Sequence, residues 1–128
     1  MPYSIVWQKN GAYRRFWRFV SKDDIRESFK ELHQSPEYNQ LLCILHDHSE
    51  MTGRDWGDID ITLLGANHLG ASVGNHKLVD IVVTTDDDFV GIMQGKVVTK
   101  LLPNPIQFYT TLAEGRKRYE EIVGESLM

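Results

Sequence analysis

The stretch Leu41–Trp56, "LLCILHDHSEMTGRDW", decides the fold. Five apolar residues, Leu41 to Leu45, run straight into His46, Asp47, His48, Ser49 and Glu50. A short apolar run bounded by polar residues marks a strand covered on both faces, the kind found inside α/β sheets. A second such run, "KLVDIVVTT" (Lys77–Thr85), follows some thirty positions later. The segment between them, "RDWGDIDITLLGANHLGASVGNH", has helical character, with Ile59, Leu63, Ala66 and Val73 roughly on one face. Its Gly65 and Gly70 weaken it by about 1 kcal/mol each relative to Ala. Strand, helix, strand is the unit of a parallel sheet.

Working outward, "YSIVWQ" and "YRRFWRFV" flank Asn10-Gly11, a strong hairpin signal, so Tyr3 to Val20 reads as a β-hairpin. Alternation groups Tyr13, Arg15, Trp17 and Phe19, and the aromatic content of this set points it inward, with Arg14 and Arg18 outside. Ser21 with Asp24 resembles a capping box, and Ile25, Phe29 and Leu32 follow as a helical stripe that ends before Pro36. Thr85 and Asp88 start a helix whose Phe89, Ile92, Met93 and Val97 share a face. "NPIQFY" is a last short strand. Thr111 and Glu114 cap a final helix that turns Leu112, Tyr119, Ile122 and Val123 inward, and residues 124–128 read as a frayed tail. The order is β-β-α-β-α-β-α-β-α: an α/β fold, its sheet mixed but mainly parallel, with an N-terminal antiparallel hairpin and helices covering it. The 128 residues suffice for one domain with one core, residues 1–128.

Composition narrows the task. Hydrophobic content is 41%, charged content 25% and net charge −4, which excludes an electrostatic glue for nucleic acid. The lone cysteine, Cys43, cannot form an internal disulfide and suits a reducing compartment. The start carries no signal-peptide pattern, and the longest apolar run is far too short to span a membrane. A cytoplasmic location is expected.

The order and punctuation resemble the SpoIIAA-like proteins of the STAS superfamily over almost the whole chain. "VSKDDIRESFKEL" is similar to that family's entry to its first helix, and "LLCILHDHSEM" to its central strand and following loop. "LVDIVVTTDDDFVGIM" and "NPIQFYTTLAEGRKRYEE" are similar to its later strands and the helices behind them. The resemblance implies the fold far more than a task. Within the superfamily, anti-sigma-factor antagonists bind partner proteins and are switched by phosphorylation, other modules sit on anion transporters, and a general likeness extends to lipid-binding SEC14-type domains. The antagonists' Asp-Ser-Ser/Thr-Gly motif is absent here: "TGRDWGD" puts Asp55 and Trp56 where hydroxyls are expected.

Chemistry-bearing residues gather at two strand ends, "HDHSEMTGRD" and "TTDDD". Ligands of open α/β sheets collect beyond the carboxyl ends of strands. His46 and His48, two apart on a strand, share a face and are weak candidates for one metal, with no third ligand in evident spacing. Asp86 to Asp88 read as a helix cap. The sequence has no Gly-x-Ser-x-Gly, phosphate-binding glycine loop or Cys-x-x-Cys. The leading expectation is therefore a non-enzymatic regulatory or binding module acting through protein contacts, with no cofactor and with a homodimer as one arrangement. Its recognition loop comprises Asp47, His48, Ser49, Thr52, Arg54, Asp55 and Trp56, with Ser49 and Thr52 as phosphorylation candidates. The loop's polar residues are then dispensable for folding. The alternative is a carrier of a small apolar, lipid-like ligand, seated beneath Leu63, Leu69 and Val73. A metal-dependent hydrolase using His46 and His48 is the third reading.

Overall fold

The computed structural model describes residues 2–127. Strands β1 (Tyr3–Trp7) and β2 (Gly11–Val20) form the expected hairpin. Next come α1 (Lys22–Gln34), β3 (Cys43–Arg54), α2 (Asp58–Ser72) and β4 (Val79–Val83). The chain closes with α3 (Asp87–Gly95), the one-turn α4 (Val97–Lys100), β5 (Gln107–Tyr109) and α5 (Leu112–Val123). The sheet order is β1-β2-β3-β4-β5, antiparallel at β1-β2 and parallel elsewhere. Each crossover moves one strand in the same direction, and crossovers of one hand then place their helices on one face. Core residues of α1, α2 and α3 accordingly share a cluster with Phe16, Val20 and Val82. Helix α5 covers the other face, over Cys43, Leu45, Ile81 and Val83.

The local signals hold where they rest on backbone chemistry. Ser21 Oγ accepts from Asp24 N–H, and the Asp24 carboxylate accepts from Ser21 N–H. Thr111 caps α5 by accepting from Glu114 N–H through its Oγ1. Gly124, at φ 75°, closes α5 in the left-handed region where a Cβ is costly.

Side-chain direction departs from expectation at several places. On β2 the buried residues are Gly11, Ala12, Arg14, Phe16 and Val20, whereas Trp17 is half-buried and Phe19 is 52% exposed. The expected inward face, Tyr13, Arg15 and Trp17, is the one α5 serves. That helix packs over β3 and β4 and leaves the hairpin's outer half open. On α2 the buried residues are Ile61, His68 and Ser72, and the expected face, Ile59, Leu63 and Val73, points to solvent. Polar residues won the inward positions because each found a partner: His68 bonds Asp80, and Ser72 Oγ donates to the Leu69 carbonyl.

Strand β3 runs on to Arg54, well past the expected end near His48. It leaves β4 at the Asp47↔Val83 pair but stays with β2 to the Val20↔Arg54 pair. Two register shifts fall on this extension, opposite Phe16 and between Arg18 and Phe19. Arg18 has φ 62°, a left-handed strain of roughly 1–2 kcal/mol for a non-glycine residue, and its side chain swings outward. The helix expected through Val97 breaks at Lys96. The tail expected to fray is tied down through Leu127, whose N–H donates to Glu120 and whose side chain packs under α5, while Met128 lies outside the described residues.

Candidate functional site

Two features dominate the face under α1 to α4. The first is a polar cluster assembled by strand register. The Arg14↔His46 pair sits side by side on β2 and β3, and Asp80, paired with Ile44 on β4, lies diagonal to His46 on the same face. Helix α2 lowers His68 onto this group and α1 adds Ser28 and His33. Asp80 accepts from His46 Nε2 at 2.8 Å through one oxygen and from His68 Nε2 at 2.8 Å through the other. His68 Nδ1 lies 2.9 Å from His33 Nε2, at the half-buried end of the chain of rings.

The bonds to Asp80 fix two proton positions. A carboxylate only accepts, so both Nε2 atoms carry hydrogen. The His33 Nε2–His68 Nδ1 contact continues the chain of rings. Burial opposes the ionised form of Asp80, but His68 and His46, through charge and N–H donation, outweigh it and hold the carboxyl far below the usual range. Burial, with help from the Arg14 cation, pushes His46 down to about 4. Burial also takes His33 down to about 3, aided by His68 and Arg14, and holds His48 well below its ordinary value.

Arg14 is 2% exposed. Burial pushes its guanidinium down to about 9 against the pull of Asp80, so it stays charged at neutral pH. It donates to Ser28 Oγ at 3.1 Å and stacks 3.8 Å over the Phe29 ring. It makes no hydrogen bond to Asp80, whose two oxygens each accept from a histidine. Arg14 Nε and His46 Nδ1 are buried atoms without a hydrogen-bond partner among the described residues.

The second feature is a cavity of about 60 Å³ above this cluster. Arg14, His46, His68 and Asp80 line its polar end, and Ile61, Leu64, Met93, Leu102 and Ile106 are among its apolar walls. A separate polar cleft of about 190 Å³ opens at the strand ends, between Met51, Thr52 and Gly53 of β3 and Thr84, Thr85 and Asp86 before α3. His48 and Trp56 line both spaces and stand between them.

The expected recognition loop is largely a pinned strand end. Asp47 is fully buried on the α5 face, where it accepts from Tyr13 Oη and Ser49 N–H. His48 is buried on the opposite face, edge-on to Phe16 and Trp56. Trp56 is buried, its Nε1–H donating to the Val20 carbonyl at 2.8 Å. Arg54 bonds the Trp56 carbonyl and pairs with Asp86 at 2.9 Å and Asp88 at 2.8 Å. Asp55 accepts from Lys22 N–H at the start of α1. Ser49 and Thr52 are exposed. Against the expectation that the polar residues of this stretch are dispensable for folding stands the burial of His46, Asp47 and His48 in the core. His46 and His48 do share a face, but His46 is committed to Asp80. Among the described residues no group of three or more His, Cys, Asp or Glu is placed to hold a metal ion.

Asp80 and His33 escaped the sequence reading, and Arg14, expected outside, is buried. Asp80 carried a signal, a charge inside the apolar run "LVDIVV", as did Arg14 in an alternating strand. Their contact depends on register across three strands, which no local spacing encodes.

No family model matches the chain, and no curated protein matches it. The architecture is nonetheless that of a known class: an α/β protein with a SpoIIAA-like fold. The chain is similar to the crystal structure of an uncharacterized protein from the DUF3478 family with a SpoIIAA-like fold, from Shewanella loihica PV-4. The likeness has a TM-score of 0.51 at 13% identity and covers 91% of each chain, so it is a likeness of fold. Among the described residues no helix is long and apolar enough to cross a membrane.

Proposed function

We propose that this chain is a non-enzymatic binding module whose ligand is small and largely apolar, held between the sheet and helices α2 to α4. One observation carries this reading: a cavity with apolar walls ends on buried polar side chains that have unused hydrogen-bonding atoms. Small-molecule sites have that composition, an apolar lining with a few placed polar groups. Empty cavities in natural cores are few, and the lost contacts around them cost stability. The cavity lies beneath Leu64, one position from the expected Leu63, because α2 is rotated relative to its apolar stripe. The non-enzymatic part rests on the absence, among the described residues, of a free nucleophile at the cluster. The Ser28 hydroxyl donates to the Ile25 carbonyl and accepts from Arg14, and Cys43 is buried on the α5 face.

Titration with 1-butanol, followed by NMR, tests the reading. Saturable binding is expected in the parent protein and its loss in Leu64→Trp, which fills the cavity. Equal behaviour of the two proteins would contradict it. A second reading, a regulatory module acting through protein contacts, is favoured by the exposed stripe Ile59, Leu63 and Val73 on α2 and by the exposed hydroxyls of Ser49 and Thr52. Under that reading a partner protein or a second copy covers α2, and phosphate on either hydroxyl adds repulsion beside Glu50. A cytoplasmic site of action suits both readings.

A further inference from the structure

We propose that the polar end of the cavity receives the carboxyl group of a short apolar carboxylic acid, Arg14 Nε–H donating to one oxygen and His46 Nδ1 accepting the acid proton from the other, so that the ligand enters with one proton. The proposal rests on the cavity reading above and adds the identity of the ligand's head.

Two unpartnered atoms specify the head. They belong to Arg14 and His46, adjacent in the sheet register; both residues line the cavity, and both side chains are more than nine-tenths buried. Arg14 Nε offers a hydrogen on a cation. His46 Nδ1 offers a lone pair, because Asp80 commits the hydrogen of this ring to Nε2. A ligand head must therefore accept and donate side by side. A carboxylic acid does so, as does a primary amide. The lone pair of His46 Nδ1 favours the acid, since an acid O–H is a far stronger donor than an amide N–H and can pass its proton to the ring.

Charge balance sets the proton count. The groups facing His46 are Arg14 from β2, His33 from α1, His48 from its own strand, His68 from α2 and Asp80 from β4. With the histidine rings neutral, Arg14 and Asp80 carry one buried charge of each sign. An ionised ligand entering alone would leave an uncompensated negative charge in the core, which is costly. One added proton cancels it, whether it stays on the ligand or moves to His46 Nδ1. The placement differs, but the stoichiometry is one. With His46 near 4 in the empty site, the ring brings no proton of its own above pH 5, so the uptake comes from solvent. The cavity of about 60 Å³ admits the head and the first carbons, which argues for a short chain.

The experiment is an NMR titration of the whole protein with butyrate, butyramide and 1-butanol at pH 5.5, 6.5 and 7.5. Butyrate is expected to bind best at pH 5.5 and to weaken by about tenfold per unit of rising pH, the slope of one proton. Butyramide and butanol should show no such slope. In His46→Gln the amide nitrogen can still donate to Asp80 while nothing replaces Nδ1, so butyrate affinity at pH 5.5 should fall by more than butanol affinity does. If that variant fails to fold, the slope in the parent protein decides alone. Butanol and butyrate binding equally with flat pH profiles would overturn the acid site and leave the cavity reading standing. Butyramide binding as tightly as butyrate at pH 5.5 would also overturn it. Binding of none of the three would overturn both.

Discussion

The two faces of the sheet are built on different rules. Beneath α5 the core is Cys43, Leu45, Ile81, Val83, Tyr119 and Val123, packed so tightly that the helix approaches through glycines. A Cβ on Gly115 would lie 2.3 Å from Val83 Cγ2, and one on Gly11 would lie 2.2 Å from Tyr119 Oη. Beneath α1 to α4 the same strands, one residue out of phase, present Arg14, His46, His48 and Asp80 to a cavity. The period of two lets one strand serve both purposes, Leu45 and Asp47 on one side and His46 and His48 on the other. The dry face supplies rigidity, and the wet face holds charges and neutral rings in fixed geometry. A site needs the second kind of surface and relies on the first to hold it still.

Acid should separate the two faces most strongly. His33, His46 and His48 all have folded-state pKa values below their unfolded value near 6.5. Unfolding therefore takes up protons, and stability falls as pH drops from about 6.5 towards 4. Each ring contributes up to about 1.4 kcal/mol per pH unit in that window. Asp80, depressed as a carboxylate, adds a further loss below about pH 4 as it is protonated. Urea unfolding at pH 7.0, 6.0 and 5.0 measures this, and a flat profile would show that these rings are not held neutral.

Next in size is Asp80→Ala. It removes the acceptor of two histidines and leaves Arg14 as an uncompensated buried cation, a loss of about 3–5 kcal/mol. Asp47→Ala sharpens the contrast. It breaks a pairing with Tyr13 and Ser49 at the rim of the dry face and should cost less, about 1–3 kcal/mol. Equal losses in chemical denaturation would break the distinction between the faces.

Gly115→Ala probes the dry face directly. The added methyl meets Val83, and overpacking of this kind costs about 1–3 kcal/mol. Gly91→Ala, with open space around its Cβ position, should be neutral or stabilising. A stability-neutral Gly115→Ala would mean that α5 can lift from the sheet.

The strand and helix order was legible in the chain because apolar runs, capping pairs and the Asn10-Gly11 turn are local signals. Facing was legible only where one side of an element meets water. On β2 both sides meet protein over part of their length, so the aromatics of "YRRFWRF" misled: Phe16 went in and Trp17 and Phe19 did not. On α2 the apolar stripe faces solvent, and hydrogen bonds drew His68 and Ser72 inward. The site was half legible. His46 and His48 were visible as a pair on one face, but Arg14 and Asp80 join them only through register, which the sequence does not spell out. Trp17→Ala should accordingly cost about 1 kcal/mol or less, for lost stacking with Arg15 on the open face, against about 3–5 kcal/mol for Phe16→Ala. The reverse order in thermal unfolding would restore the register first expected from alternation.

The claim that the cavity under α2 to α4 is the binding site is tested most directly by methyl NMR of the labelled protein titrated with butyrate at pH 5.5. Saturable shifts should concentrate on Ile61, Leu64, Leu102 and Ile106, which line the cavity, and spare Leu45 and Val83 beneath α5. Shifts that fail to saturate, or that centre on Ile59, Leu63 and Val73 on the outer side of α2, would contradict the claim.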